Sequence, residues 1–263
     1  MLAANGLSEN DSIHIGDKLK IPDTLIPTGV TGLSAVSEAT GLSLSFIKNL
    51  KANEDSGGLA ENQFHNKAYK DKNGNWTIGV GHLVLPSEET KYLNKTLSNA
   101  QVCTLLAEDI IARTMDIRAL IGNSAYNKLP QPLKDAVTDY VFNRGIGTLK
   151  SQKELISALK GGNWAKAITL MNVDYSVKKD KNGKSQKIFL TGLSKRRLFD
   201  MYTACKIYNG KIPAEVKQAI NAMYRRGIAH MKSEFPDEKT RKAVKESYNK
   251  EVRAWFGNLI YYV

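Results

Sequence analysis

The side chains best suited to acid–base chemistry lie within residues 69–82. Asp71 comes just before Asn73 and Gly74, the pair of residues that most strongly indicates a tight hairpin turn. Thr77 follows this pair, among residue types that favour a strand. Such a hairpin would bring the carboxylate of Asp71 and the hydroxyl of Thr77 close together across the turn. Both groups can hydrogen-bond a water molecule, so they are candidates for positioning a water that attacks a substrate.

Glu54 is a candidate carboxyl upstream, at the end of an apolar segment. Apolar residues recur with the period of one helix face from Leu44 to Leu50, so Glu54 is expected in the last turn of a helix. The helix dipole disfavours a carboxylate at that end, which hints at a functional role. A carboxyl that donates a proton, together with groups that hold a water, can cleave a glycosidic bond. We therefore predict that Glu54, Asp71 and Thr77 form a hydrolase site.

Residues 77–82, which read Thr-Ile-Gly-Val-Gly-His, resemble the active-site strand of the phage-type lysozymes, glycoside hydrolase family 24. The signature of that family is a Glu at the end of the first helix, followed by an Asp and a Thr with five residues between them. Asp71 and Thr77 have this spacing. The resemblance implies an α+β, predominantly helical fold with a small β-hairpin lobe and a helical lobe. It also implies that Glu54 is the catalytic acid and that Asp71 and Thr77 hold the attacking water.

The assignment of the acid has one alternative. Glu54 lies 17 residues before Asp71, a longer spacing than the family usually has, and an insertion at residues 55–58 would explain the difference. Glu61 lies ten residues before Asp71, closer to the family spacing. However, Glu61 follows a Gly-Gly break, in polar sequence without helical periodicity. We therefore prefer Glu54 and keep Glu61 as the alternative.

Two further residues are candidates for substrate binding. The resemblance implies that His82 is a structural residue that lines the floor of the substrate cleft, where Gly79 and Gly81 let another group approach the backbone. Arg144 lies in a Val-Phe-Asn-Arg-Gly stretch that also looks like a phage-lysozyme segment. It could meet substrate carboxylates or join helices through ion pairs, and the same two roles are open to the Arg pair at residues 196–197.

The likeness to the lysozymes covers about residues 44–208, and the chain is predicted to divide accordingly. We expect a partial LysM-like segment at 1–22, a linker at 23–42, the catalytic domain at 43–208 and a basic helical extension at 209–263. The first segment resembles the end of the peptidoglycan-binding LysM module, or is an unrelated strand and turn. Four roles are open to the extension. It presents a solvated basic face, it binds an anionic wall or membrane, it docks a partner, or it covers an apolar surface of the core.

Apolar periodicity and cap residues predict the remaining elements. Ser98 and Gln101 have the spacing of a capping box, and the helix that follows is expected to end at Ile121, before Gly122. A further helix is predicted from residue 132 to the stretch 142–147, and others at 154–160, 164–171, 212–230 and 237–259. Residues 55–68 are expected to form an exposed loop, and residues 178–187 a charged turn.

The chain of 263 residues carries a net charge of +12, from 38 basic and 26 acidic residues. Such an excess attracts polyanions, among them nucleic acids, anionic lipids and the carboxylates of peptidoglycan. No zinc-finger, helix-turn-helix or RNP motif supports nucleic-acid binding. The two cysteines, Cys103 and Cys205, do not make a disulfide framework, and Cys103 is expected to be a buried thiol. We expect neither a cofactor nor a metal, and no stable membrane insertion.

The sequence thus predicts a muramidase that hydrolyses the β-1,4 bond between N-acetylmuramic acid and N-acetylglucosamine. The resemblance implies an inverting reaction. One alternative is a lytic transglycosylase, which would use a single Glu, and the pair of Asp71 and Thr77 argues against it. The other is a non-catalytic wall-binding or virion structural protein, and the intact Glu, Asp and Thr argue against that. Residues 1–6 lack the features of a signal peptide, so a holin, a virion or a secretion machinery is expected to deliver the enzyme. Such machinery, or an immunity protein, is a candidate partner besides peptidoglycan.

Overall fold

A computed structural model describes residues 29–54, 58–71 and 74–259. The LysM-like segment and Asn73 of the predicted turn lie outside these ranges. The described chain is predominantly helical and contains two small antiparallel sheets, which confirms the predicted fold class. Its internal contacts divide it into two compact units, with the boundary after Asn123. None of the described helices is both long enough and apolar enough to cross a membrane.

The first unit combines helices with a three-stranded sheet in the order β1-β2-β3. Its elements are α1 (Leu33–Thr40), α2 (Leu44–Glu54), β1 (His65–Lys70), β2 (Trp76–Gly79), β3 (His82–Leu83), a short 3-10 helix (Pro86–Glu88), α3 (Glu89–Tyr92) and α4 (Asn99–Ile121). The predicted capping box of α4 is present: Ser98 accepts from the Gln101 amide, and the Gln101 side chain accepts from the Ser98 amide. This helix ends before Gly122, as predicted.

Helix α1 lies inside the segment that was predicted to be a linker. Leu33 and Val36 stand one helical turn apart and are buried, and Gly41 ends the helix in the left-handed conformation with φ 66°. The composition of residues 23–42 is rich in small and hydroxyl side chains, which concealed this short apolar stripe. At least residues 33–40 are therefore part of the first unit.

The segment predicted as an exposed loop, residues 55–68, is shorter than expected. Strand β1 already begins at His65, and its pairing with β2 places His65 opposite Gly79 and Tyr69 opposite Thr77. A polar strand gives little periodic signal, because the order comes from cross-strand hydrogen bonds. Before the strand, the buried ammonium of Lys51 on α2 donates to the carbonyls of Leu59, at 3.0 Å, and Ala60, at 2.7 Å. Lys51 thereby ties this loop to the helix that carries Glu54.

The second unit begins at Ser124 and is built around helices. Its elements are α5 (Asn123–Lys128), α6 (Gln131–Arg144), α7 (Ile146–Ser151), α8 (Lys153–Gly161), α9 (Trp164–Leu170), β4 (Tyr175–Lys179), β5 (Ser185–Phe189), α10 (Thr191–Cys205), a 3-10 helix (Lys206–Tyr208), α11 (Ala214–Glu234), α12 (Glu238–Phe256) and a 3-10 helix (Gly257–Leu259). The helices predicted from periodicity are confirmed. The charged turn predicted at 178–187 is the outer part of a longer hairpin. Strands β4 and β5 pair along their whole length, from Tyr175 opposite Phe189 to Lys179 opposite Ser185.

Helices α11 and α12 of the C-terminal extension pack on α10. Their buried residues form one apolar face: Val216, Ile220, Met223, Tyr224, Met231, Tyr248, Val252 and Phe256. Gly227 lets the helices approach closely, because a Cβ there would lie 2.1 Å from the Tyr248 hydroxyl oxygen and 3.1 Å from Cβ of Ser194. Of the alternatives for the extension, coverage of an apolar surface is the one that the structure shows.

Candidate active site

The carboxylate of Asp71 is held inside the turn that joins β1 to β2. Its Oδ1 accepts from the backbone amide of Asn75 at 2.8 Å, and its Oδ2 accepts from the Asn75 side-chain amide at 3.3 Å. The Asp71 amide donates to the Asn75 carbonyl, and the Gly74 amide donates to the Asp71 carbonyl, both at 2.9 Å. Gly74 has a φ of 85°, which only glycine adopts readily. The half-buried carboxylate is therefore fixed in direction while the turn holds its shape.

Thr77 is linked to the same turn through Asn75. Its hydroxyl donates to the Asn75 carbonyl at 3.4 Å, and only 6% of the residue is exposed. In β2 it pairs with Tyr69 on one side and with Leu83 of β3 on the other. Asn75 thus contacts both side chains that the sequence singled out, and it joins them into one hydrogen-bonded group.

Glu54 ends α2, as predicted, and its half-buried side chain packs against the backbone between β2 and β3. A Cβ on Gly81 would lie 3.1 Å from Oε2 and 3.2 Å from Cβ of Glu54. The Glu54 side chain therefore occupies space that only a glycine leaves open at this position. This contact brings the end of the helix to the sheet that carries Thr77, and it confirms that Gly81 permits a close approach.

Glu61 has a different environment. It lies in an exposed turn, and its carboxylate forms an ion pair of 2.9 Å with Lys48 on the surface. The side chain is 61% exposed. The Glu61 carboxylate is solvated and paired with Lys48, whereas the Glu54 side chain packs on Gly81 beside the strand that carries Thr77. The local chemistry therefore favours Glu54 over Glu61.

His82 is held between two carboxylates of the first unit. Its Nδ1 lies 2.9 Å from Oδ2 of Asp109 on α4, and its Nε2 lies 3.4 Å from Oε2 of Glu88. Burial lowers the pKa of His82, but the Asp109 hydrogen bond and the negative charges of Asp109 and Glu88 outweigh that effect. The pKa is consequently raised above its ordinary value of 6.5. These contacts join β3 to α4, as expected for a structural histidine.

Arg144 belongs to the second unit, and its described contact lies within that unit. The guanidinium donates to the carbonyl of Tyr175 at the start of β4. Burial and the neighbouring positive charge of Arg197 lower the pKa of Arg144.

For Arg196 the role in helix packing is confirmed, because it makes two hydrogen bonds, of 2.8 and 3.0 Å, to Asp139 on α6.

Arg197 is also a packing residue. It is fully buried, and its guanidinium lies 3.0 Å from Asp200 and 3.2 Å from the side-chain oxygen of Asn143. The guanidinium also stacks over the Tyr140 ring, with 4.6 Å to the ring centroid. Buried cations are stable only with such partners. The stretch around residues 192–197 therefore joins α10 to α6.

The turn of the second sheet provides a comparison for Asp71. Residues 180–183 repeat the sequence Asp-Lys-Asn-Gly of residues 71–74. Asp180 also accepts two backbone amides, those of Asn182 and Lys184, both at 2.9 Å. Its own amide donates to the Lys184 carbonyl at 2.9 Å. The backbone pattern around Asp71 is therefore what this turn sequence forms elsewhere, and the two sites differ in what surrounds the turn.

Comparison with known proteins decides the family. The family model described as phage lysozyme matches residues 60–199, which is more than half of the chain. The chain belongs to the phage lysozyme family. It is a glycoside hydrolase, and peptidoglycan of the cell wall is its substrate. The matched range contains Asp71, Thr77 and His82 but begins after Glu54, so the place of Glu54 rests on its contact with Gly81.

Individual relatives of this phage-type lysozyme are distant. The probable T4-type lysozyme 2 of Dictyostelium discoideum is 25% identical over 151 residues, which are 48% of this chain and 87% of that protein. The endolysin of Escherichia coli O157:H7 phage FAHEc1 is 20% identical with a TM-score of 0.47, covering 62% of this chain and 92% of that one. The active form of the P1 phage endolysin Lyz is 14% identical with a TM-score of 0.49, covering 69% and 98% respectively.

Sequence reasoning missed the residues that support this lysozyme site. Asn75 had a local signal, because it closes an Asp-Lys-Asn-Gly turn whose first residue needs backbone donors. Asp109 had a weaker signal, as a carboxylate directly before two apolar residues of α4. Lys51 and Glu88 had none, since their partners depend on how the loops fold back. These residues hold the turn of Asp71, the loop that follows Glu54 and the strand of His82.

Proposed function

We propose that this lysozyme is a muramidase that hydrolyses the β-1,4 bond between N-acetylmuramic acid and N-acetylglucosamine. Membership of the phage lysozyme family supports the substrate class. The packing of Glu54 on Gly81 carries the assignment of the acid, because it brings a half-buried carboxyl to the sheet that holds Thr77. Glu54 donates a proton to the glycosidic oxygen as the bond to the leaving sugar breaks.

In this proposal Asp71 and Thr77 hold the attacking water. The Asp71 carboxylate accepts one proton of the water, and the Thr77 hydroxyl orients the oxygen. Their common partner Asn75 supports the assignment, since it fixes Asp71 through two hydrogen bonds and accepts one from Thr77. Water attack on the face opposite the leaving group inverts the anomeric carbon, and this geometry needs about 6.5–9.5 Å between the two carboxyls.

His82 has a supporting role in the proposed mechanism. Asp109 and Glu88 face its two ring nitrogens, so the imidazole is engaged on both sides rather than directed at a substrate. His82 directly follows Gly81, and holding its ring therefore holds the backbone against which Glu54 packs. Arg144 donates to the Tyr175 carbonyl through Nη2, so we propose that it binds substrate only through its other guanidinium N–H groups.

Product analysis tests this function. Purified peptidoglycan is digested with the enzyme, and the soluble muropeptides are identified by mass spectrometry, while NMR follows the anomer that forms first. We expect reducing N-acetylmuramic acid ends and initial formation of the α anomer from the β-linked substrate. Anhydro-muramic ends would instead identify a lytic transglycosylase, and reducing N-acetylglucosamine ends would show that a different bond is cleaved. Initial formation of the β anomer would contradict the inverting route.

A further inference from the structure

The β4–β5 hairpin is fixed at its base and exposed beyond it. At the base, the Phe189 ring stacks on the ring of His230 with 4.8 Å between centroids, and Arg144 donates to the Tyr175 carbonyl. From residue 177 to residue 189, every residue except Asp180 is exposed. Two paired strands therefore present both of their faces to solvent, and packing within the described unit does not explain the composition of those faces.

This hairpin carries a strong positive charge. Five lysines lie on it, at positions 178, 179, 181, 184 and 187, against the single acidic residue Asp180, which gives a net charge of +4. Within the described part of the chain, none of the five lysines forms an ion pair. Asp180 is committed to the turn, where its Oδ1 accepts from two backbone amides. A third of the net charge of the whole chain is thus concentrated on one exposed ribbon.

Apolar side chains lie among these lysines. Val177 is 58% exposed, Ile188 is 36% exposed and Phe189 is 40% exposed. These are three of the five large apolar side chains that are exposed among the described residues. Val177 pairs across the strands with Lys187, and Ile188 pairs with Ser176, so the alternation of a strand places Val177 and Ile188 on opposite faces. Each face of the hairpin therefore combines lysine with an exposed apolar group.

We propose that the β4–β5 hairpin is a docking surface for an anionic lipid bilayer. A soluble polyanion would attract the lysines but would leave the side chains of Val177 and Ile188 exposed to water. The interface of a bilayer accommodates both groups, because apolar side chains enter the boundary of the acyl chains while lysines extend along them toward acidic headgroups. The binding is peripheral and reversible, and it goes beyond cleavage of the wall: it holds the lysozyme at a membrane surface beside its substrate.

Charge-matched variants of the full chain test the electrostatic part. Hairpin variant K178Q/K181Q/K184Q and control variant K239Q/K242Q/K245Q, on the exposed face of α12, each remove three lysine charges. Binding is measured by co-sedimentation with vesicles of phosphatidylglycerol and phosphatidylcholine, and with pure phosphatidylcholine vesicles. Since each lysine near an anionic surface strengthens binding about five-fold, the hairpin variant should bind the mixed vesicles about 100-fold more weakly than wild type. The control should lose about ten-fold or less. Equal losses in the two variants would overturn the proposal.

A second pair of substitutions tests the apolar part and separates lipid from other polyanions. V177T/I188T keeps the charge and the β-branched side chains of both strands, so the hairpin should remain folded. We expect it to bind mixed vesicles about ten-fold more weakly, while binding to soluble polyphosphate stays as in wild type. Unchanged vesicle binding by V177T/I188T would show a general polyanion site and would overturn the assignment to a membrane. Hydrolysis of soluble peptidoglycan fragments should be as in wild type for all variants, and a loss would show that the hairpin serves catalysis and would overturn its assignment as a membrane-docking surface.

Discussion

Asp71 and Asp180 begin two turns with the same sequence and the same backbone hydrogen bonds. Asp180 stands in an exposed hairpin, where its carboxylate serves the turn alone. Asp71 is linked to Thr77 through Asn75. The Asn75 side-chain amide donates to the Asp71 carboxylate, and the Asn75 backbone carbonyl accepts from the Thr77 hydroxyl. The chain therefore contains its own control for the proposed catalytic role, because the structural part of that role is present twice.

Asp71→Asn and Asp180→Asn separate the two roles. Asparagine keeps an oxygen that accepts from the turn amides, so each substitution should cost no more than about 1 kcal/mol in the free energy of unfolding. Only Asp71→Asn removes a base, and we expect it to lower turnover by roughly 10² to 10⁴. The assay is release of reducing ends from soluble peptidoglycan fragments, combined with urea unfolding. Similar turnover in the two variants would remove Asp71 from the mechanism.

His82 gives the first unit a pH-dependent term in its stability. Its pKa is raised in the folded protein, because the hydrogen bond and charge of Asp109 and the charge of Glu88 outweigh burial. The protonated ring therefore stabilises the fold fully below pH 6.5, and this contribution is lost as pH rises through the raised pKa.

His82→Gln should remove this term. Urea unfolding at about pH 6 and about pH 8 should show that wild type loses more stability over the interval than the variant. All other residues are the same in the two proteins, so the difference between the two slopes isolates His82. Equal slopes would mean that folding does not raise the pKa of His82 and would contradict the role given to Asp109 and Glu88.

At the scale of elements, the C-terminal helices show how close packing depends on one small residue. Gly227 on α11 lies where a Cβ would be 2.1 Å from the Tyr248 hydroxyl oxygen of α12. Asp174, just before β4, adds a polar connection, since its Oδ2 accepts from Ser194 on α10 and from Arg226 on α11, each at 3.1 Å. These contacts make α11 and α12 part of the second unit rather than a separate appendage.

Gly227→Ala should destabilise this packing by about 1–3 kcal/mol, because the helices have to separate to admit a methyl group. Gly192→Ala is the matched control: Gly192 is also helical, in α10, and a Cβ there meets nothing within 4 Å. Alanine at that position should be neutral or stabilise by up to about 1 kcal/mol. Thermal unfolding followed by circular dichroism measures both. A Gly227→Ala protein as stable as wild type would show that α11 and α12 contribute little to the core.

The elements that could be predicted are those with local signals. The capping box at Ser98 and the stop at Gly122 mark both ends of α4 within a few residues of sequence. Strands β1, β4 and β5 lack apolar periodicity, so the Asn-Gly pairs at 73–74 and 182–183 mark their turns but not their lengths, which depend on pairing with the partner strand. The same distinction holds at the site. Asp71 and Thr77 follow from a short spacing, whereas the bond between His82 and Asp109 joins residues 27 positions apart.

At the scale of the whole molecule, the net charge of +12 does not describe one uniform basic surface. The basic residues of α12 lie on a helix whose apolar face is buried. The hairpin lysines, in contrast, lie beside apolar side chains that are exposed. Catalysis is proposed within the first unit and surface attachment within the second. The proposed function therefore depends above all on which carboxyl of the first unit is the acid.

Paired Glu54→Gln and Glu61→Gln variants test that identity most directly, through turnover of purified peptidoglycan. Glutamine fills the space beside Gly81 but cannot donate the proton, so Glu54→Gln should remain folded and lose roughly 10² to 10⁴ in turnover. Glu61→Gln removes only an exposed ion pair with Lys48, and its activity should stay near that of wild type. An inactive, folded Glu61→Gln beside an active Glu54→Gln would contradict the proposed site.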